Sequence, residues 1–456
     1  MTSRNSINLL NKMKKILGVF IIVLFLGSCN RESTPIEITA NDYHNAMDRL
    51  TNIMVHDIFS PPVASRIYAY SNIAAYEVLV KGNKELRSFS HTYKDFPPVP
   101  EPDTTANINF QLAALIAKIE IGKQLIFSEN EMLTYRDSLY TSWEERNKEE
   151  FENSKNYGLQ VATHVANWKN KDNYKETRTM PKFSVYSDEP HRWQPTPPLY
   201  MDGIEPHWAK IRTFTLDSAS QFKPNPPPEF SLEEKSKFRE ELMEVYSIRD
   251  TLDILGDESE EIQIAKFWDC NPYVSTQRGH LMFATKKITP GGHWMGITKI
   301  ASKKKNLDFD KTVYAYAATS LAIADAFISC WEEKYKSELI RPETLINSIV
   351  DENWTPVLQT PPFPEYPSGH SVVSGAAATV LTQLFGDNFS YDDDTEVQYG
   401  LPVRSFSSFH QAANEAALSR LYGGIHYRSA IEEGLTQGLN LGAFVVKDLE
   451  LQPLNL

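Results

Sequence analysis

An all-α fold, a helical bundle joined by long proline-rich connections, is what this 456-residue sequence predicts, and three observations carry the prediction. Apolar residues recur mainly at three- and four-residue spacing, whereas the strict alternation of a half-buried strand is scarce. The stretch "DKTVYAYAATSLAIADAFISCWEEKY" (310–335) is rich in alanine and hydrophobic nearly all round, the pattern of a helix at the centre of a bundle. The 27 prolines punctuate the chain without forming low-complexity runs, and 41% hydrophobic residues suffice for a large core.

The first 28 residues stand apart. Lys14 and Lys15 precede the apolar run "ILGVFIIVLFLG" (16–27), and "LGSC" follows, the layout of a secretory signal too short for a comfortable membrane span. "LGSC" is similar to a bacterial lipobox, which would make Cys29 the lipidated first residue of the mature chain, with Met13 as an alternative start. The expectation is an exported protein, lipid-anchored to a bacterial membrane, the outer one facing periplasm or cell surface.

A helical scaffold is expected over 40–300. "PPVASRIYAYSNIAAYEVLVKG" (61–82) opens on prolines and ends on glycine, as a buried helix should. Residues 107–127 and roughly 130–170 read as two further helices, the second charged along one side. Segment 181–230 holds "HRWQPTPPLY" and "FKPNPPPEF", which no regular helix or central strand accommodates because proline lacks the N–H and fixes φ. It reads as a connection wrapped over a surface. Helices resume at "SLEEKSKFREELMEVYSIRD", where Ser231 and Glu234 have capping-box spacing, and "ITPGGHWMGITKIA" (288–301) marks a turn into another.

Residues 301–450 are expected to form the catalytic helical bundle. After the central helix comes "SGHSVVSGAAATVLTQLFG" (368–386), with small residues where helices must approach closely and Gly386 placed to end it. A last pair, 408–422 and 427–447, is joined by "YGGIHY".

Charge narrows the function. Removing residues 1–28 takes four of the 46 basic residues and none of the 59 acidic ones, leaving a net charge of −17. Such a surface excludes broad nucleic-acid binding and a polybasic membrane patch. Cys270 and Cys330 are the remaining cysteines; a disulfide and two buried thiols are both compatible with an exported chain.

Three stretches of the final third carry the candidate chemistry: Lys334-x6-Arg341-Pro342, Pro367-Ser368-Gly369-His370, and Ser419-Arg420-x5-His426. Taken singly, each has an ordinary explanation: a solvated helix end, a surface ion pair, a capping or core histidine. Together they make an oxyanion cradle. Arginine supplies a planar fork and lysine a point charge, while Ser368 and the Gly369 amide donate at a helix N-terminus whose dipole favours an anion. Two histidines remain, one to bond the central atom and one to exchange a proton at the opposite oxygen.

In this order the motifs resemble those of the superfamily that unites type 2 phosphatidic acid phosphatases with vanadium-dependent haloperoxidases, over about residues 310–447. The resemblance implies that Lys334, Arg341, Ser368, Gly369 and Arg420 hold the equatorial oxygens of vanadate or phosphate, and that His370 is the acid–base residue. His426 would be the vanadium ligand in a peroxidase, or the nucleophile that forms a phosphohistidine in a phosphatase. Either role needs a neutral imidazole with its other nitrogen partnered.

One position departs from the phosphatase pattern, which places an aspartate where this chain has Ala430. The loss bears hardest on a phosphohistidine mechanism, and Glu432 or Glu433 could stand in only by an awkward reach along a helix. Trp331 and Phe363 occupy places where aromatic residues line the halide side of fungal-type vanadium chloroperoxidases, although ordinary core packing explains either alone. The resemblance therefore leans towards a soluble haloperoxidase, with vanadate as cofactor, hydrogen peroxide and halide as substrates, and hypohalous acid as product. The alternatives are a vanadate-inhibited acid phosphatase acting on phosphate esters, which needs no cofactor, and a non-catalytic oxyanion-binding lipoprotein.

Other polar residues read as structural: His293 as a helix-start contact, Asp269 as a capping or buried carboxylate, His410 as a first-turn residue. "YDDDTE" (391–396) lacks EF-hand spacing and reads as a solvated acidic loop.

Overall fold

A computed structural model describes residues 34–454 apart from 187, 279, 280 and 285. The leader and Cys29 lie outside the described residues. The predicted all-α architecture is what the chain adopts. Helices α1 (Ala40–His56), α2 (Pro61–Gly82), α3 (Phe110–Lys123), α4 (Glu129–Arg146), α5 (Lys148–Lys169) and the single turn α6 (Tyr174–Thr177) form the first part. They are followed by α7 (Lys237–Leu255), α8 (Glu260–Phe267), α9 (Pro290–Lys304), α10 (Phe309–Ser337), α11 (Pro342–Ile349), α12 (Gly369–Phe385), α13 (Phe409–Tyr422) and α14 (Arg428–Asp448). Two antiparallel hairpins, β1–β2 (Ser275–Arg278, Leu281–Ala284) and β3–β4 (Tyr391–Asp393, Arg404–Phe406), are the strands among the described residues.

Helix α10 is the hub, packed against α1, α2, α9, α12 and α14. Its residues are buried on all sides from Thr312 to Trp331 except at Tyr314, which is what a chain of alanines among larger apolar residues permits. The same helix is apolar enough by length and composition to cross a membrane, but 94% of that window is buried inside the protein. Helices α12 and α14 meet backbone to backbone. A methyl on Gly438 would run into the Val372 carbonyl, one on Gly442 would lie 2.8 Å from the Ala376 oxygen, and one on Gly375 2.9 Å from the Leu435 oxygen.

Three expectations are corrected. The long helix of 130–170 is two, divided at Asn147, whose extended backbone (φ −154°, ψ 94°) and side chain cap the second by accepting from the Glu150 amide. The cap after the proline-rich segment is Ser236, not Ser231: Ser236 Oγ accepts from the Arg239 amide, and Ser231 only closes a preceding turn. The proline-rich segment does not merely lie over the surface. Trp193, Trp208, Phe214 and Leu216 are buried, and the amides of Phe214, Thr215 and Leu216 converge at 2.8, 2.7 and 3.3 Å on the carboxylate of Asp325, sealed in the middle of α10. The Thr215 hydroxyl adds a fourth bond at 2.7 Å.

The acidic stretch 391–396 is likewise only half solvated. Asp392 and Asp394 face solvent, whereas Asp393 and Glu396 turn inwards towards His293, 100 and 103 positions away in the chain. His293 itself stands in the first turn of α9, Asp269 pairs with Lys287 at 2.5 Å, and His410 lies in the first turn of α13, as their sequence contexts suggest. Cys270 and Cys330 are both free and buried.

Candidate active site

Ser368 caps α12. Its backbone is extended, its hydroxyl oxygen accepts from the Ser371 amide at 3.3 Å, and its own amide donates to the Ala430 carbonyl at 3.0 Å. The hydroxyl proton and the first free amides of the helix therefore remain for an anion. A methyl built on Gly369 would find only ordinary contacts, 3.5 Å to Trp331 Cζ3 and 3.9 Å to Lys334 Cε. The protein's own packing thus tolerates a side chain there, and the glycine serves the approach of a ligand.

Two arginines flank this helix start. Arg341, at the cap of α11, donates from Nε to the Phe363 carbonyl (3.0 Å) and from one terminal nitrogen to the Ile425 carbonyl (2.7 Å). Its other terminal nitrogen is buried with no hydrogen-bond partner among the described residues. Arg420, on α13, donates to the Trp268 carbonyl at 2.7 Å and to Ser419 Oγ at 3.0 Å. Burial presses both guanidinium pKa values down, that of Arg341 to about 10.

Lys334, in the last turn of α10, is placed differently from the expectation that it reaches the anion. Its ammonium donates to the carbonyls of Pro364, Glu365 and Pro367 at 3.0, 3.0 and 2.6 Å. Three acceptors need three donors, which only the protonated amine has. Lys334 therefore pins the loop that leads into α12 and contributes its charge from behind it, while burial lowers its pKa to about 7.

The imidazole of His426 has both nitrogens assigned by its neighbours. The same terminal nitrogen of Arg341 that bonds Ile425 lies 3.1 Å from Nε2, and since guanidinium only donates, Nε2 carries a lone pair. Nδ1 then carries the proton and donates to Glu365 Oε1 at 2.7 Å. Burial, with Arg341, Lys334 and Arg420 nearby, holds the His426 pKa well below the usual histidine value.

Glu365 is the residue that sequence reasoning missed, and it answers the question raised by Ala430. It accepts from His426 Nδ1 and from the Tyr427 amide (2.9 Å), doing from the loop before α12 what an aspartate on α14 would do. Burial raises its pKa to about 8 against the pull of Arg341 and Lys334. Its signal was available: it sits three residues before Ser368 in "FPEYPSGH". Glu432 and Glu433 do not substitute; they face Arg428 and Asn225 at the surface.

His370, the second residue of α12, bonds its ring to the Trp268 carbonyl. Its Nε2 is buried without a hydrogen-bond partner among the described residues, and burial together with Arg420 and His293 holds its pKa well below the usual value. A neutral ring with one free nitrogen can take a proton. Trp331 and Phe363, ring centroids 5.0 Å apart, line the cavity over Gly369, His370, Arg420 and His426, alongside Phe327, Pro361 and Tyr273. The Phe363 ring stands 5.0 Å from Lys334 Nζ and 5.1 Å from Arg341 Cζ.

Three buried cations, Lys334, Arg341 and Arg420, surround Glu365, with Glu343 beside Arg341 and Asp269, paired with Lys287, beside Arg420 as further buried carboxylates. An orphaned guanidinium donor, an open helix N-terminus and a ring nitrogen bearing a lone pair among these cations fit a tetrahedral oxyanion bonded at its central atom.

Fold and site together define a helical-bundle protein built around such an anion. The family model for the second helical-bundle domain of VCPO matches residues 314–452. Along 181 residues the chain is 27% identical to the vanadium chloroperoxidase of Curvularia inaequalis (28% of this chain, 29% of that one). Along 102 residues it is 30% identical to the vanadium-dependent bromoperoxidase of Corallina officinalis (20% and 17%). The matched stretches span less than a third of either curated relative. The crystal structure of a bacterial vanadium-dependent iodoperoxidase superposes with a TM-score of 0.89 at 62% identity, covering 93% of this chain and all of that one. A holo bacterial vanadium-dependent chloroperoxidase shares the fold at 16% identity, with a TM-score of 0.61 over 89% and 92% of the chains. The chain belongs to the vanadium haloperoxidase superfamily.

Proposed function

We propose that this protein oxidises iodide with hydrogen peroxide, using vanadate held in the cradle between α12 and α13. The observation that carries the reading is the neutral His426, its Nε2 lone pair turned towards the buried Arg341 guanidinium and its Nδ1 proton fixed by Glu365. Iodide as the halide is supported by the 62% identity to a bacterial iodoperoxidase over 93% of this chain.

His426 Nε2 would bond the vanadium, with Ser368, the Gly369 amide and the free donors of Arg341 and Arg420 on the oxygens. Bound vanadate supplies a Lewis-acidic centre that activates peroxide without itself changing oxidation state. The remaining work belongs to the protein. His370 Nε2 accepts a proton from hydrogen peroxide and returns it to the leaving oxygen. The guanidinium groups stabilise charge that develops on oxygen, and do so strongly because the site is buried. Lys334 fixes the loop carrying Phe363 and Glu365, and the Trp331 and Phe363 rings present an apolar wall that a large, weakly hydrated halide crosses readily.

Vanadate decides between this reading and an acid phosphatase on the same scaffold, because it activates the first and inhibits the second. The metal-stripped mature protein should be silent towards iodide and peroxide and regain activity on stoichiometric vanadate. Turnover of a chromogenic phosphate ester in the stripped protein, abolished by vanadate and without halide oxidation, would sink the proposal. Lipid attachment at Cys29 belongs to the same proposal. Mass spectrometry of the amino-terminal peptide from bacterial membranes should show an acylated cysteine, and an unmodified one counts against it.

A further inference from the structure

Beside the cavity, whose lining includes Cys270, lies a second buried constellation that the proposed reaction does not use. Cys270, in the turn after α8, His293, in the first turn of α9, and Glu396, in the loop after β3, are 1%, 0% and 2% exposed. One donor atom from each lies within 4.8 Å of the others.

The hydrogen bonding of His293 leaves this cluster incomplete. His293 Nε2 lies 2.9 Å from Asp393 Oδ2, while the other oxygen of that carboxylate accepts from the Thr395 amide and hydroxyl at 3.0 and 2.7 Å. Nε2 is thus committed as a donor. Nδ1 shares a hydrogen bond with Cys270 Sγ at 3.5 Å and lies 3.4 Å from Glu396 Oε1, which makes no hydrogen bond among the described residues.

An imidazolium–carboxylate contact of this kind should close to roughly 2.8 Å. The two separations from Nδ1 match edges of a metal tetrahedron, and the third, between Cys270 and Glu396, lies within 4.8 Å. Bonds of about 2.0–2.1 Å to nitrogen and oxygen and about 2.3 Å to sulfur set neighbouring donors roughly 3.4 Å apart for N···O and 3.6 Å for N···S.

We propose that Cys270 Sγ, His293 Nδ1 and Glu396 bind one divalent ion of the zinc type, with the fourth position open to water from the adjoining cavity. A thiolate, an imidazole and a carboxylate form a donor set for zinc and not for calcium or magnesium. The charges close: thiolate and carboxylate balance the dication, the imidazole is neutral, and the thiol proton is released to solvent. Asp393 is the outer carboxylate that fixes the imidazole tautomer, a partner typical of zinc-bound histidine. The ion would clip together the turn after α8, the start of α9 and the β3 loop. It would thereby hold Trp268, which stacks on the His293 ring with centroids 4.4 Å apart and whose carbonyl receives Arg420. This site is independent of vanadate, so its failure and that of the iodide reading are separate results.

The test uses the mature chain, purified without vanadate, stripped with a chelator and titrated with zinc and, separately, cobalt. Elemental analysis should give one zinc per chain, and cobalt should produce a thiolate-to-metal charge-transfer band in the near ultraviolet. Cys270→Ser should abolish that band and lower zinc affinity at least about 100-fold, and Asp393→Asn should lower it about 10–100-fold. Glu396→Gln, nearly isosteric, should also weaken zinc and serves as the deciding variant if Cys270→Ser does not fold by circular dichroism. Less than one equivalent taken up by the wild-type chain, or undiminished uptake by the folded variants, overturns the proposal.

Discussion

Asp325 and the His426 cluster are both ionisable groups sealed inside the same bundle, and they differ in how their hydrogen bonds are met. Every donor around Asp325 is one the fold itself provides: three consecutive amides and a hydroxyl close on one carboxylate, which burial alone would push towards protonation. Around His426, a guanidinium nitrogen of Arg341, the Nε2 of His370 and one oxygen of Glu365 are buried with no hydrogen-bond partner among the described residues. A polar group the protein satisfies is part of the structure; donors it leaves open are the outline of something it binds. The two constellations are read with one rule and give opposite answers.

That contrast can be broken by mutation. The largest effect is expected at His426→Ala: halide oxidation and vanadate retention, followed by equilibrium dialysis, should both be lost while circular dichroism stays that of the parent. His370→Ala should leave vanadate bound and lower turnover about 10²–10⁴-fold, the range for a positioned acid–base group; a variant that loses vanadate as well would place His370 in binding instead. Asp325→Ala works in the other direction. It strands three buried amides, so chemical denaturation should show a loss of about 3–5 kcal/mol, with activity retained at low temperature. A stability change below about 1 kcal/mol would refute the clamp.

Glu365→Ala sharpens the comparison, because it removes the carboxylate oxygen that accepts from His426 and the Tyr427 amide. Vanadate affinity should fall about 10–100-fold, and less in Glu365→Gln, which can still accept from Nδ1. The smallest effect concerns pH. The Lys334 pKa in the unloaded protein is lowered to about 7, and the protonated form favours the anion, so affinity should decline as pH rises through about 7. The limit is roughly tenfold per unit. In Lys334→Met that part of the slope should vanish, leaving the titration of Glu365, raised to about 8, and of the anion itself; an unchanged slope would assign it elsewhere.

Much of this was readable from residue order. The helix of 61–82 has the predicted limits, and α10, α12 and α14 fall within two residues of theirs, because small residues, prolines at helix starts and Gly386 mark them without tertiary help. The seven residues predicted for the cradle lie in three short motifs, each at a helix terminus, so local order placed their backbones, whereas the turn of Lys334 towards the loop before α12 is a tertiary contact. What failed was non-local or context-poor. Asn147 is a single cap in a polar run, and a helix that is polar throughout hides its own break. Asp393 and Glu396 belong to a run of acids that reads as solvated, and only the approach of His293 from α9 explains their burial. Glu365 stood beside the motif, yet its partner is 61 residues further on.

The contact between α12 and α14 has a consequence for the cradle's dimensions. Ser368 and Gly369 open one helix, His426 stands just before the other, and Gly375, Gly438 and Gly442 let the two main chains touch. The width of the anion seat is therefore set by peptide planes in contact, which cannot change rotamer, and not by side chains that can. Such a seat has a fixed gauge. It admits tetrahedral anions of one size class, and drift in the surrounding sequence can retune charge and halide access without altering what fits.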